Sequence, residues 1–332
     1  MTSGSARASN PRGVISGPAV RWLGVVLAGL FLLVLPWFLK GFMQTLMAKF
    51  LIFSIFAMSY NLIFGYGGML SLGHAAYFGI GAYTAGLLML HGGMTSFWVA
   101  APLALVFALV GGVLLGFLSL RVTGLYFLLI TFGLGQLLYS LAWNIRWFNS
   151  PGMQGISAIP YPDMGIPGFE WTNLSFYYFV FVWFALCYFL INRVADSPFG
   201  RGLVGVREGE DRMRALGYNV WLFRYLALIV AGGFAGWAGM LYAYNNSFVQ
   251  PAYFGFDYSW LPMLMVIVGG AATRIGPLVG ALIVVFADYY VSQLTQIWWP
   301  FFLGWMFVFI IMFFRGGIVV FAGRFWRRIG GR

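Results

Sequence analysis

Five polar side chains sit within, or at the edge of, long apolar runs: Asn61, His74, Gln136, Asn144 and Asp288. Amides and an imidazole offer both donors and acceptors, and a carboxylate attracts a cation. The chemistry in prospect is recognition and passage of a small solute rather than bond making. Asp288 is the only acid inside a predicted helix. Its charge costs ~2.5–3.5 kcal/mol at the bilayer centre, so it must face the protein interior or water, pair with a tyrosine, or stay protonated. A single histidine at a helix start, as His74 is, is more often a hydrogen-bonded structural group than a ligand. Two histidines and one cysteine, Cys187, provide no cluster for a structural zinc or an iron–sulfur centre. The lysines Lys40 and Lys49 stand in Leu39-Lys40-Gly41 and Ala48-Lys49-Phe50, and neither fits a phosphate-binding loop.

A second group of residues carries charge in a helical pattern. Residues 193–224 hold four of the eight acids: Asp196, Glu208, Glu210 and Asp211. Ser197-Pro198 is a helix start, with Ser as cap and Pro in the first turn. Gly217 is suited to end the helix in the left-handed conformation. Glu208–Arg212 and Glu210–Arg214 are i,i+4 pairs in the favourable orientation, each worth ~0.2–0.5 kcal/mol. Leu203, Val206, Met213 and Leu216 recur at helical spacing and form an apolar stripe. A solvated loop does not need such a stripe. The pattern predicts a docking helix over about 203–216, with the four apolar side chains inserted into a partner and Glu208, Glu210, Asp211, Arg212 and Arg214 as its rim.

The elements that position these residues follow from composition. Of 332 residues, 61% are apolar and 8% charged, against about 25% charged in a soluble domain. That excludes a soluble enzyme, a disordered chain and a disulfide scaffold, and predicts an all-α polytopic membrane protein. Spans are expected near 22–39, 46–66, 70–91, 97–120, 123–145, 174–192, 223–244, 277–296 and 298–316. A shorter run at 259–271 reads as a broken or re-entrant tenth. Residues 1–21 read as an N-terminal tail, 22–316 as the transmembrane domain with 193–224 as its large loop, and 317–332 as a basic tail.

The net charge of +11 is spread through the gaps between runs, which is a topology signal rather than a nucleic-acid footprint. With the N-terminus inside and sides alternating, sixteen of nineteen basic residues fall inside and only Lys40, Lys49 and Arg146 outside. Both termini are therefore expected in the cytoplasm. A docking helix, no nucleotide motif and few charges within spans together point to a permease driven by a separate ATPase. The alternative is a stand-alone secondary transporter or channel. A membrane enzyme would need a clustered acid, base or metal set that the sequence lacks.

Four stretches carry a resemblance. They are Asn61-Leu62-Ile63-Phe64-Gly65-Tyr66-Gly67-Gly68 running on to Ser71-Leu72-Gly73-His74-Ala75-Ala76-Tyr77; Leu120-Arg121-Val122-Thr123-Gly124-Leu125-Tyr126; Ser197-Pro198-Phe199-Gly200-Arg201 through Ala215-Leu216-Gly217-Tyr218-Asn219; and Gly236-Trp237-Ala238-Gly239 through Val268-Gly269-Gly270 and Gly276-Pro277-Leu278-Val279-Gly280-Ala281. In these the chain resembles the LivM-type permease subunits of the branched-chain amino acid ABC importer family, over about residues 45 to 316. The resemblance implies a LivH-type second permease, two cytoplasmic ATPase subunits holding ATP and Mg, and an extracytoplasmic substrate-binding protein. It implies no cofactor in this chain, a place in the bacterial inner membrane among lipids, and coupling to the ATPase through 197–217. The chain departs from the family at Asn149-Ser150-Pro151-Gly152-Met153-Gln154-Gly155, where a Thr-Gly-Gly-Pro-x-Gly run is usual. That leaves branched-chain amino acids, urea, aromatic acids and other small carboxylates as expected cargo.

Overall fold

The computed structural model describes residues 29–39, 41–150, 154–165, 170–294, 298–313 and 316–321. The predicted tail 1–21, the start of the first span, Lys40, Arg315 and residues 322–332 of the basic tail lie outside the described residues. The chain is an all-α polytopic membrane protein. Its helices are α1 (Gly29–Phe38), α2 (Phe42–Asn61, continued by a π turn over Leu62–Tyr66), α3 (Ala75–Gly92), α4 (Phe97–Ser119), α5 (Leu125–Asn144), α6 (Asn173–Asp196), α7 (Pro198–Glu208), α8 (Glu210–Ala215), α9 (Val220–Asn246), α10 (Phe256–Gly269), α11 (Gly276–Leu294) and α12 (Trp299–Phe313). Six of these are long and apolar enough to cross a membrane: α2 with its π turn, α4, α5, α6, α9 and α11. The predicted helix start at 70 moves to Ala75, because residues 67–74 turn back through Gly68 at φ +67°.

α9 is the axis of the bundle and packs along α2, α3 and α4. Its crossing with α3 brings backbone onto backbone. A Cβ on Gly81 would lie 1.8 Å from the Gly236 carbonyl oxygen, and one on Gly239 would lie 1.8 Å from that of Phe78. Small residues are what permit membrane helices to approach so closely. Beside this crossing Phe53, Phe78, Tyr242, Tyr253 and Tyr258 form one aromatic cluster joining α2, α3, α9 and α10.

The two ends of the bundle differ. One carries α7 and α8. The other is closed by two short antiparallel strands, β1 (Ile156–Ser157) and β2 (Phe248–Val249). There the Asp163 backbone N–H donates to Thr95 O at 2.8 Å, and the Phe97 N–H donates to Asp163 O at 2.9 Å.

The predicted broken span is a half-length helix. At ~1.5 Å per residue, the 14 residues of α10 reach only about two-thirds of the ~30 Å hydrocarbon layer. A 3-10 turn, Pro251–Phe254, precedes it. The Phe254 carbonyl oxygen lies 3.5 Å from where a Gly135 Cβ would stand, near the middle of α5. α10 thus begins at the depth of the α5 midpoint. Irregular backbone at such depth is tolerated only inside protein or against a water-filled cavity.

Candidate functional site

The 197–217 segment folds as its caps dictate, with one correction. The Ser197 hydroxyl accepts from the Gly200 N–H at 3.2 Å, with Pro198 in the first turn. At the far end Gly217 (φ +83°) completes a Schellman closure, its N–H donating to Arg214 O and the Tyr218 N–H to Met213 O. The expected single helix is instead two, because Gly209 adopts an extended conformation between α7 and α8. The break abolishes the expected Glu208–Arg212 pair, and Glu208 instead lies 3.7 Å from its neighbour Arg207. The Glu210–Arg214 pair forms at 2.5 Å, and Glu210 also accepts from Arg224 at 2.7 Å, holding α8 to α9.

The apolar stripe is divided as well. Leu203 and Val206 are buried in the protein's own core, so they anchor α7 rather than offering themselves to a partner. Met213 is half-buried against Gly205. Leu216 is 67% exposed, and Asp211, Arg212 and Arg214 are exposed around it.

α7 is gripped at both ends. The Arg207 guanidinium donates to the Gly65 carbonyl in the π turn of α2. Its stem covers Gly68, where a Cβ would lie 2.6 Å from Arg207 Cγ. Asp196, just before the cap, accepts from Arg274 of the α10–α11 turn at 2.5 Å. Asn61 joins the same turn to α2: its amide donates to Thr273 O at 3.0 Å and accepts from the Ala272 N–H at 2.9 Å. Asn61 is therefore spent on backbone groups and does not face open space.

His74 is fully buried just before α3, with Nε2 2.9 Å from Ser59 Oγ and its ring stacked on Phe56 at 5.4 Å. Asp288 is half-buried on α11 and paired with Lys49 Nζ of α2 at 3.3 Å. That ion pair, rather than a contact with a tyrosine, offsets the cost of placing a carboxylate in the membrane layer. A cavity of about 250 Å³ lies between the α4–α5 turn and α9. Its walls are apolar apart from Thr123 and Arg224 and contain none of the five predicted polar residues.

Gln136 and Asn144 are placed differently. Both lie on α5, the least buried of the six long helices. Gln136 is half-buried, and Asn144 is exposed, donating to Ser140 O at 2.8 Å. Steps of four put Phe132, Gln136, Ser140 and Asn144 on one face. Ser140 is a member of this lane that the sequence reading passed over; the signal was its i,i+4 spacing from both amides. The lane runs from the β1–β2 end to the α5 midpoint. There Phe132 meets Phe256, the first residue of α10, edge-on with ring centroids 5.8 Å apart.

A half-length helix, a polar lane and a gripped amphipathic element suit a solute carrier worked from one end. The profile of the family described as branched-chain amino acid transport system / permease component matches residues 42–311. The chain belongs to this permease family. It is 31% identical over 257 residues to the high-affinity branched-chain amino acid transport system permease protein LivM of Escherichia coli, covering 71% of this chain and 60% of that protein. It is 27% identical over 265 residues to a probable branched-chain amino acid transport permease LivM of Methanocaldococcus jannaschii, covering 70% and 76%. It is 24% identical over 266 residues to the autoinducer 2 import system permease LsrC of Salmonella typhi, covering 74% and 69%. The chain thus spans about 60% of the length of the E. coli permease it matches. No solved structure matches it.

Proposed function

We propose that this chain is a transmembrane permease subunit of an ATP-driven ABC importer for branched-chain amino acids or a related small polar solute. Membership in the permease family carries the reading, and the amphipathic α7–α8 element supports it. In this reading the chain has about ten transmembrane segments in the bacterial inner membrane, α10 being the broken or re-entrant one, with both termini and residues 193–224 in the cytoplasm and the β1–β2 end outside. A LivH-type permease completes the pathway, an extracytoplasmic binding protein delivers the solute, and two ATPase subunits hold ATP and Mg. The chain itself carries no cofactor and no nucleic acid.

Coupling runs through 197–217. Leu216, Met213 and the exposed charges Glu208, Asp211, Arg212 and Arg214 meet the ATPase, while Leu203 and Val206 fix α7 to the permease. Motion of α7 then reaches α2 through Arg207–Gly65 and the α10–α11 turn through Asp196–Arg274. Gln136 and Asn144 border the pathway. Asn61, His74 and the Lys49–Asp288 pair hold its walls.

The test is reconstitution with the partner permease, the ATPases and the binding protein in proteoliposomes. Leucine uptake should require both ATP and the binding protein, with urea and an aromatic acid as competitors that identify the cargo. Uptake by this chain without ATPases would establish the stand-alone transporter or channel instead. For topology, Gln154→Cys and Arg212→Cys variants, each with Cys187→Ser, should react with an impermeant thiol reagent from opposite sides. Labelling of both from one side would overturn the arrangement.

A further inference from the structure

α10 carries an acid that the apolar run 259–271 did not include. Asp257 is the second residue of the helix, directly after Phe256. Its depth is fixed by two contacts: the Phe254 carbonyl against Gly135, and the Phe256 ring against Phe132. Both place it within about one turn of the α5 midpoint. Asp257 is exposed and makes no ion pair among the described residues. A carboxylate at this depth cannot face acyl chains, and the free N–H groups of the first turn of α10 offset only part of its desolvation. Water in a conduit, a cation or a polar group of a second subunit must meet it, and the polar lane beside it favours the conduit. The polar face of α5, Gln136, Ser140 and Asn144, leads from the β1–β2 end to this point, because Phe132 on that face is the residue touching Phe256.

We propose that Asp257 lines the translocation path at mid-membrane depth and binds the ammonium group of the solute by charge-assisted hydrogen bonds, with the Gln136 amide one turn farther along the path. The depth and exposure of Asp257 stand by themselves; the identity of the ammonium-bearing solute rests on the importer reading above.

The experiment uses the full complex in proteoliposomes. Asp257→Asn should lower leucine uptake per ATP hydrolysed at least tenfold, with complex yield and basal ATP hydrolysis within twofold of wild type. Asp257→Glu should recover a substantial part of the uptake. Relative to leucine, uptake of its amine-free 2-oxo analogue should rise about tenfold in Asp257→Asn. In a Cys187→Ser background, an Asp257→Cys variant should react with a cationic, membrane-impermeant thiol reagent added from the water. Leucine uptake unchanged in Asp257→Asn would overturn the proposal. So would an Asp257→Cys variant unreactive in every nucleotide state, which would bury the acid in a closed contact with the second permease. A wild-type complex without ATP-dependent uptake would defeat the importer reading alone, and the labelling arm would still decide whether Asp257 faces water.

Discussion

α2 and α5 are both long apolar helices carrying polar residues, and they use them in opposite ways. α2 is the most buried of the six long helices, and its polar groups are consumed within the chain: Lys49 by Asp288, Ser59 by His74, and Asn61 by the backbone of residues 272–273. α5 is the least buried, and its amides lie on or near an open face. Polarity within a membrane span therefore has two meanings, and burial separates them. A polar residue in the core is a strut, because an unsatisfied partner there is costly. A polar residue on an open face is available to a solute or a second subunit.

Substitutions should divide along the same line. The largest effect is expected from Asn61→Leu, which strands the Ala272 N–H and the Thr273 carbonyl at ~1–3 kcal/mol each. The yield of folded protein after detergent extraction should fall severely, and a normal yield would break the contrast. Lys49→Met leaves Asp288 unpaired, at a cost of up to ~2.5–3.5 kcal/mol if its charge stays in the membrane layer. Thermal stability in detergent should drop, and the double change Lys49→Met with Asp288→Leu should restore most of it. If the double variant is no better than the single, the pair is not the strut described.

Gln136→Leu should act in the other sense. Assembly and melting temperature should stay near wild type while leucine uptake falls several-fold; a loss of stability instead would return α5 to the structural class. The smallest effect is expected from Arg214→Ala, which removes one exposed partner of Glu210 while Arg224 keeps its own contact. A change within ~0.2–1 kcal/mol is anticipated for such a pair, with ATPase retention on the purified complex as the measurement.

Several local features were legible along the chain. The Ser197 cap and the Gly217 closure depend on residues three to five positions apart, and both formed where their residue types demanded. The short run at 259–271 announced a broken span for the same local reason: too few apolar residues to cross. Legibility failed where local signals were balanced or where distance in sequence was large. Gly209 stands amid acids and arginines that read equally well as one helix, and it split the element in two. Asp257 was missed because an apolar window begins after it, whereas the backbone turns helical at Phe256.

By itself, the sequence determined that this chain lives in a membrane as a helical bundle, since 8% charged residues cannot clothe a soluble surface, and it determined where several helices begin and end. Only the tertiary structure decided what the polar residues do. Lys49 finds Asp288 239 positions away, Asn61 finds a turn more than 210 positions away, and Asp257 is carried to the middle of α5 by the packing of Phe254 and Phe256. Caps and hydropathy are properties of neighbouring residues, whereas depth, burial and the identity of a partner are properties of the packed bundle.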